Sequence, residues 1–548
     1  MTHLNIPVGI SDFAEIRQNG YYYVDKTGLI AEVLKAQAVK VTLITRPRRF
    51  GKTLGMSTLE NFFSIRKDSA VLFQGLGIMN ASALCQKWMN QCPTIFLSFK
   101  DVDGLTFDSA YGMLEATIAE LFRKYTDLLD SDYDKEAFRR ILKGEAGTTG
   151  IKKSLSLLMR MLSDHYGKQV VLLLDEYDVP VAKASNHHYY QEMLEVVKAM
   201  MSTALKDNNA LQFAIITGCL KIAKESIFTG TNNFVSDTIT SSRLNEYFGF
   251  TQDDVDRILR DADAKDHAEA MKYWYDGYHF GDFDVYCPWD VMNYLFDLSN
   301  DPKARPASYW KNTSDNAIIR SFIDYSGSSI TGKLETLLAG GTISQKVEEN
   351  LTYDLLHSSE ENLWSILYLT GYLTGVRGED QTTKLMIPNA EIREIFESTV
   401  VKWFQDKAKG TDRRTLFHAV WNGDSELLTR EMSTLLRMTI SYHDYKEDFY
   451  HAFLAGIFAG AGYMVESNRE HGEGRSDVIV CDSENGRLAV FEVKCSAALE
   501  KMEESCETAL RQIDERMYAK EFEDSYDQVL CYGISFYKKR CLVKKIHS

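Results

Sequence analysis

Proline is scarce, at 8 in 548 residues, and aromatics make up 12%. Together these exclude a disordered or fibrous chain. None of the nine scattered cysteines forms a CxxC pair, and nine is odd, so neither a zinc ribbon nor a disulfide framework is expected. Long apolar runs are missing too. Ala452–Val465 (AFLAGIFAGAGYMV) is the longest weakly polar stretch, too short and glycine-rich to span a bilayer. It reads as a buried helix running into a strand. The first residues, MTHLNIPVGISDFAEIRQ, lack the basic start and apolar core of a signal peptide, so a cytoplasmic protein without membrane contact is expected. Net charge is −16, from 62 basic and 78 acidic residues. That argues against bulk positive charge as a means of coating nucleic acid, while leaving room for a local basic groove. No repeat, low-complexity tract, HExxH or GxSxG occurs.

What is present is periodicity. At 548 residues the chain should hold about three domains. Short apolar runs at Val39–Thr45, Thr94–Phe99, Val170–Leu174 and Leu211–Thr217 alternate with helical patterns around Asp108–Lys124, Lys152–Tyr166 and Tyr190–Leu205. Fully apolar strands separated by helices predict a parallel sheet covered on both faces, an α/β domain over residues 1–245. Residues 246–440 are helical and aromatic-rich, as in KYWYDGYHF (272–280) and CPWDVMNYLF (287–296). Helix packing is the plain reading of those aromatics, with a lid or winged-helix role as the alternative. Residues 441–548 predict a compact α+β module: helix, three strands, helix, strand. Asn485-Gly486 marks its hairpin, and the tail KKRCLVKK (538–545) is basic.

Gly51-Lys52-Thr53 follows the first strand and opens a helix. Alone the triplet is weak, arising by chance in about one chain in three of this length. In context it supplies helix N-terminal N–H groups and a lysine for phosphate, with a hydroxyl for Mg²⁺. The loop RPRRFGKT has Arg46 at the first glycine of the GxxxxGK[ST] pattern, and Pro47 offers no N–H. Arg48 and Arg49 are candidate helpers. About 120 residues on, VVLLLDEYD ends a strand in acids. Asp175 is expected to hold Mg²⁺ and Glu176 to orient the attacking water. Thr217, at the tip of the fourth strand, is a candidate γ-phosphate sensor.

A second constellation lies near the end of the chain. Glu492 and Lys494, two apart on a strand, point to one face, and the hairpin folds Asp477's strand beside them. The two carboxylates suit Mg²⁺, which lowers the pKa of a bound water, and the ammonium suits the developing charge at a scissile phosphate. Glu447 on the preceding helix and Gln512 on the following one are accessory candidates.

These residues carry a resemblance. LNIPVGISDFAEIRQNGYYYVDKT, RPRRFGKT, LLLDEYDVP, ITGCLKIAKESIFTGTNNF, WYDGYHF with YCPWDVMNYL, and GRSDVIV with FEVKCS occur in that order over nearly the whole chain. The chain resembles a bacterial family that joins an AAA-ATPase-like P-loop domain to a C-terminal PD-(D/E)xK nuclease-superfamily domain of restriction-endonuclease-like α+β fold. The resemblance implies nucleotide contacts from Gly51, Lys52 and Thr53 and metal and water roles for Asp175 and Glu176. It implies a catalytic set of Asp477, Glu492 and Lys494. Ser476 stands where such proteins often carry alanine. ATP and Mg²⁺ as cofactors, DNA as favoured partner, and a part in defence or mobile-element biology follow as expectations, with homo-oligomer formation left open. A nucleotide-dependent switch or scaffold that binds without cutting is the alternative.

Overall fold

The computed structural model describes residues 4–35, 39–130, 134–221, 234–310, 333–334, 336–351, 353, 359–378, 382–408, 414–439, 447–471, 474–520, 522 and 525–546. Contacts divide the chain into two compact units, residues 1–310 with 345–391, and residues 311–344 with 392–548.

The first unit is built on five parallel strands, β1 (Val41–Thr45), β2 (Thr94–Ser98), β3 (Val170–Asp175), β4 (Leu211–Gly218) and β5 (Phe234–Asp237), in the order β2-β3-β4-β1-β5. Alternation along β3 shows why these strands are apolar throughout. Val170, Leu172 and Leu174 enter one core, and Val171 and Leu173 enter the other. The first core is filled by α2 (Phe107–Arg123), α3 (Gly147–Tyr166) and α4 (Tyr190–Leu205). The second is filled by α1 (Lys52–Phe63), through Met56, Leu59, Phe62 and Phe63, and by the helix Gly28–Lys35. The predicted doubly covered parallel sheet is therefore the fold of this region, with β5 added at the edge. Its four residues, FVSD, carry too short an apolar signal to be read from sequence.

A third core joins the N-terminal segment to later helices. Leu4, Ile6, Val8, Tyr22 and Val24 pack with Val255, Ile258, Tyr275 and Tyr294, the last on α5 (Pro288–Asn300). Half of the aromatics of 272–296 are core residues: Tyr275, Tyr278, Phe280, Tyr286 and Tyr294 are buried, whereas Tyr273 and Phe296 are exposed. Two short antiparallel ribbons, Tyr278–Phe280 with Phe283–Val285 and Thr374–Arg377 with Thr383–Met386, interrupt the helical reading of this stretch.

The second unit contains α6 (Arg414–Asn422), α7 (Ser425–Thr439) and α8 (Glu447–Ala459), then β6 (Met464–His471), β7 (Gly474–Asp482), β8 (Arg487–Cys495), α9 (Met502–Glu515), β9 (Gln528–Tyr537) and β10 (Arg540–Lys545). The strands form one sheet in chain order. All neighbours are antiparallel except β8 and β9, whose parallel pairing requires the crossover through α9. Gly486 takes the left-handed conformation (φ 63) that ends the β7–β8 turn, after a 3-10 turn over Ser483–Asn485. The basic tail ends in a strand: alternating Cys541 and Val543 are buried, while Arg540 is exposed and Lys544 and Lys545 are half-buried.

Candidate functional site

β1 ends where Arg46 begins the loop to α1. Gly51, at φ 81, is the N-cap of that helix, and a side chain there would meet nothing within 4 Å. Backbone conformation alone demands the glycine. Lys52 follows, 3% exposed, with its ammonium donating to Arg46 O at 3.0 Å and Pro47 O at 2.9 Å. It stands 4.0 Å from Glu176 and 3.7 Å from Cys219 Sγ. Burial alone would lower its pKa, but Cys219, Glu176, Asp175 and Asp178 outweigh burial and raise it.

The carboxyl ends of β3 and β4 come to the same place. Thr53 Oγ1 donates to Asp175 Oδ2 at 2.8 Å, and Thr217 Oγ1 donates to Asp175 Oδ1 at 2.6 Å. Asp175 is fully buried, and burial, followed by the charge of Glu176, raises its pKa. Glu176 holds φ 55, a left-handed conformation uncommon outside glycine and one that gathers at functional sites. The structure thus brings Gly51, Lys52, Thr53, Asp175, Glu176 and Thr217 together.

The three loop arginines differ. Arg46 is fully buried and staples the loop to the segment after β5. Its guanidinium donates to Thr45 O at 2.7 Å, Asp237 O at 2.8 Å, Asn245 Oδ1 at 2.6 Å and Arg243 O at 3.3 Å. Burial lowers its pKa to about 10, so the charge persists at neutrality. Arg48 lies in the field of Cys219, Tyr353, Glu176 and Asp178. Arg49, at φ 73, turns its guanidinium to the rings of Trp289 and Trp310, 5.4 and 5.3 Å away.

Two features here have no signature in the sequence. A cavity of about 260 Å³ opens beside Gly51–Gly55, walled by Val8, Ile10, Tyr247, Phe250, Trp289 and Met292 among others. Its wall joins residues 240 positions apart or more, so no local motif marks it. Asp178, third acid of DEYD, is buried. It accepts the N–H groups of Cys219 and Leu220 at 3.0 Å each and the Tyr353 hydroxyl at 2.9 Å. Its clamp fixes the chain just past Thr217.

In the second unit, β7 and β8 set Asp477 beside Glu492. Val478 pairs with Phe491, which puts the two carboxyls side by side. Asp477 Oδ2 accepts the backbone N–H of Val493 at 2.7 Å. Glu492 is fully buried. Burial, then the charge of Asp477, pushes its pKa up to about 7, while Lys494 works the other way. Lys494 Nζ donates to Glu492 Oε1 at 3.2 Å and to Val493 O at 3.0 Å. Glu492 Oε2 is buried and accepts no hydrogen bond among the described residues.

Gln512 on α9 donates to the Tyr518 hydroxyl at 3.5 Å, and Tyr518 feels the charges of Glu492 and Asp477. Glu447 opens α8, but its side chain lies outside those described, as does that of Ser476. One turn along α8, His451 Nε2 stands 3.3 Å from Asp477 Oδ2. Its i, i+4 spacing from Glu447 was the signal available in the sequence. Among the described residues no three His, Cys, Asp or Glu side chains close around a single point. Asp477 and Glu492 alone supply the one or two carboxylates that a hard cation takes, the rest of its shell being filled by water and substrate phosphate.

Residues 7–228 match the model of a predicted AAA-ATPase family, and residues 445–546 match that of the PD-(D/E)XK nuclease superfamily. An uncharacterized protein in the vnfD 5' region of Azotobacter chroococcum mcd 1 is 26% identical over 556 residues, covering 98% of this chain and 97% of that protein. No helix among the described residues is long and apolar enough to cross a membrane. Residues 7–228 are thus similar to the predicted AAA-ATPases, and residues 445–546 to the PD-(D/E)XK nuclease superfamily.

Proposed function

We propose that the protein binds and hydrolyses ATP in residues 1–245 and cleaves nucleic acid, DNA foremost, in residues 441–548, with the first activity controlling the second. In the ATPase site Gly51 and the N-terminal N–H groups of α1 receive the phosphates, and Lys52 leaves its two loop carbonyls to neutralise their charge. Thr53 and Asp175 are the residues that would hold Mg²⁺, and Glu176 orients the water. Thr217 reports on Asp175, Arg48 adds positive charge, and the apolar cavity beside the loop receives the nucleoside.

In the second unit Asp477 and Glu492 would hold Mg²⁺, which when bound supplies a water of lowered pKa, and His451 steadies Asp477 from α8. Lys494 stabilises charge at the phosphate, while Gln512 and Tyr518 order the neighbouring wall. The observation that carries the nuclease reading is Glu492 Oε2, a buried carboxylate oxygen left without a donor beside a second acid. Such an oxygen is costly unless something positive completes it.

The test incubates the full chain with supercoiled, linear and single-stranded DNA and with RNA, with Mg²⁺ or Mn²⁺, with and without ATP. Metal-dependent cutting should disappear in Asp477→Ala and change in Lys52→Ala. Cutting that survives both Asp477→Ala and Lys494→Ala sinks the site. ATP turnover with no cutting under any condition establishes the nucleotide-dependent switch or scaffold instead.

A further inference from the structure

Asp290, in the first turn of α5, and Glu391 meet inside the first unit, and neither carboxyl reaches solvent. Glu391 Oε1 accepts the backbone N–H of Trp310 at 2.8 Å. Its other oxygen and both oxygens of Asp290 have no hydrogen-bond donor of ordinary geometry among the described residues. Two carboxylates in contact and out of water do not both ionise. One retains a proton and donates it to the other. Burial, and then the charge of Asp290, raises Glu391 the further of the two, so Glu391 keeps the proton and Asp290 carries the charge. The thiol of Cys287 and the phenols of Tyr275 and Tyr278 face the pair, all raised by burial and neutral at pH 7. Arg49 is the cation in its field.

Arg49 is half-buried against this cluster. Trp289 and Trp310 flank its guanidinium, which donates to Tyr309 O at 3.3 Å, and the Cys287 thiol approaches its carbonyl at 3.9 Å. Two residues before Gly51, at φ 73, it occupies a conformation that a bulky side chain rarely adopts unaided. We propose that Asp290 and Glu391, sharing one proton, are positioning residues for the phosphate loop. They fix Trp289 and Trp310 around Arg49 and give that guanidinium its buried counter-charge, so that Arg49 anchors the loop in its phosphate-receiving shape. The affinity consequence rests on the nucleotide reading above; the shared proton and the anchoring do not.

The experiment compares the full chain with Arg49→Met, Glu391→Gln, the double amide Asp290→Asn/Glu391→Gln, and the triple combination. Thermal unfolding is followed from pH 5 to pH 8.5, and binding of a fluorescent ATP analogue with Mg²⁺ is measured at pH 7.5. The double amide and Arg49→Met should each weaken binding about tenfold, and the triple should lose no more than Arg49→Met alone. The same non-additivity should appear in the melting temperatures without nucleotide. Glu391→Gln should melt higher than the parent at pH 8, with the gain fading toward pH 5. Additive losses, or a double amide that binds and melts like the parent, overturn the anchoring. A gain that does not depend on pH overturns the shared proton. Should the parent bind no nucleotide, the ATPase reading fails while the unfolding arm still decides this one.

Discussion

Thr217 and Asp175 are joined tip to tip across neighbouring strands, hydroxyl to carboxylate oxygen at 2.6 Å. The bond ties the end of β4 to the acid expected to meet the metal. Thr217→Ala should therefore lower ATP turnover about ten- to a hundredfold while leaving nucleotide affinity within a few-fold, and Thr217→Ser should recover most of it. Steady-state turnover beside equilibrium binding separates the two effects. Equal losses in both would assign Thr217 to plain binding.

Arg46 yields a less intuitive expectation. Arg46→Gly restores the first glycine of the familiar loop pattern, yet it should weaken the protein. It strips the donors from four acceptors, Thr45 O, Asp237 O, Arg243 O and Asn245 Oδ1, and empties the space between the rings of Phe248 and Phe280. A loss of about 3 kcal/mol or more is expected in denaturant unfolding. Unchanged stability would show that the staple contributes nothing.

Glu492 links pH to both stability and chemistry. Its pKa is raised from 4.5 to about 7 in the folded chain, so the native state holds the proton more tightly than the unfolded one. The stability it contributes is present in full below about 4.5 and is lost as pH rises through about 7. Glu492→Gln should thus raise the melting temperature at pH 8, with no gain near pH 4.5, while abolishing cleavage. Calorimetry should show Mn²⁺ affinity of the parent falling below pH 7, because the cation must displace a proton. Affinity that is flat from pH 5.5 to pH 8 removes Glu492 from the site.

Gly218 probes the clamp beyond Thr217. A Cβ there would lie 2.6 Å from Asp178 Oδ1 and 2.7 Å from the Tyr177 ring. Gly218→Ala should cost about 1–3 kcal/mol by overpacking and displace the Asp178 clamp, reducing turnover with it. The double variant Gly218→Ala/Tyr177→Leu should regain part of the stability. No loss in the single variant would mean that the strand tip shifts freely.

How much of this could be read beforehand follows from distance along the chain. Apolar strands such as VVLLL, the Gly-Lys-Thr turn and the pairing of Asp477 with Glu492 across a hairpin are local patterns, and the structure assembles them as their spacing implies. Arg46 looked like a departure from a glycine pattern because its partners, Asp237 to Asn245, stand some 190 residues away. His451 carries no local signal beyond its i, i+4 spacing from Glu447, and only the fold sets it 3.3 Å from Asp477. The tail KKRCLVKK read as a charged end. Its pairing with β9 shows a strand whose buried alternate residues are too few for periodicity to announce.

The C-terminal fold does not stop where its superfamily match begins at residue 445. α6 and α7 precede that boundary and complete its interior. Tyr532 Oη donates to Val420 O, Trp421 Nε1 donates to Tyr463 Oη at 3.1 Å, and Arg487 rests 4.8 Å over the Trp421 ring. Ser433 Oγ accepts the N–H of Cys541 on β10 at 3.1 Å. A transplantable cassette cut at residue 445 would bare these surfaces and leave buried Tyr532 without its acceptor, so the smallest portable piece starts no later than Arg414.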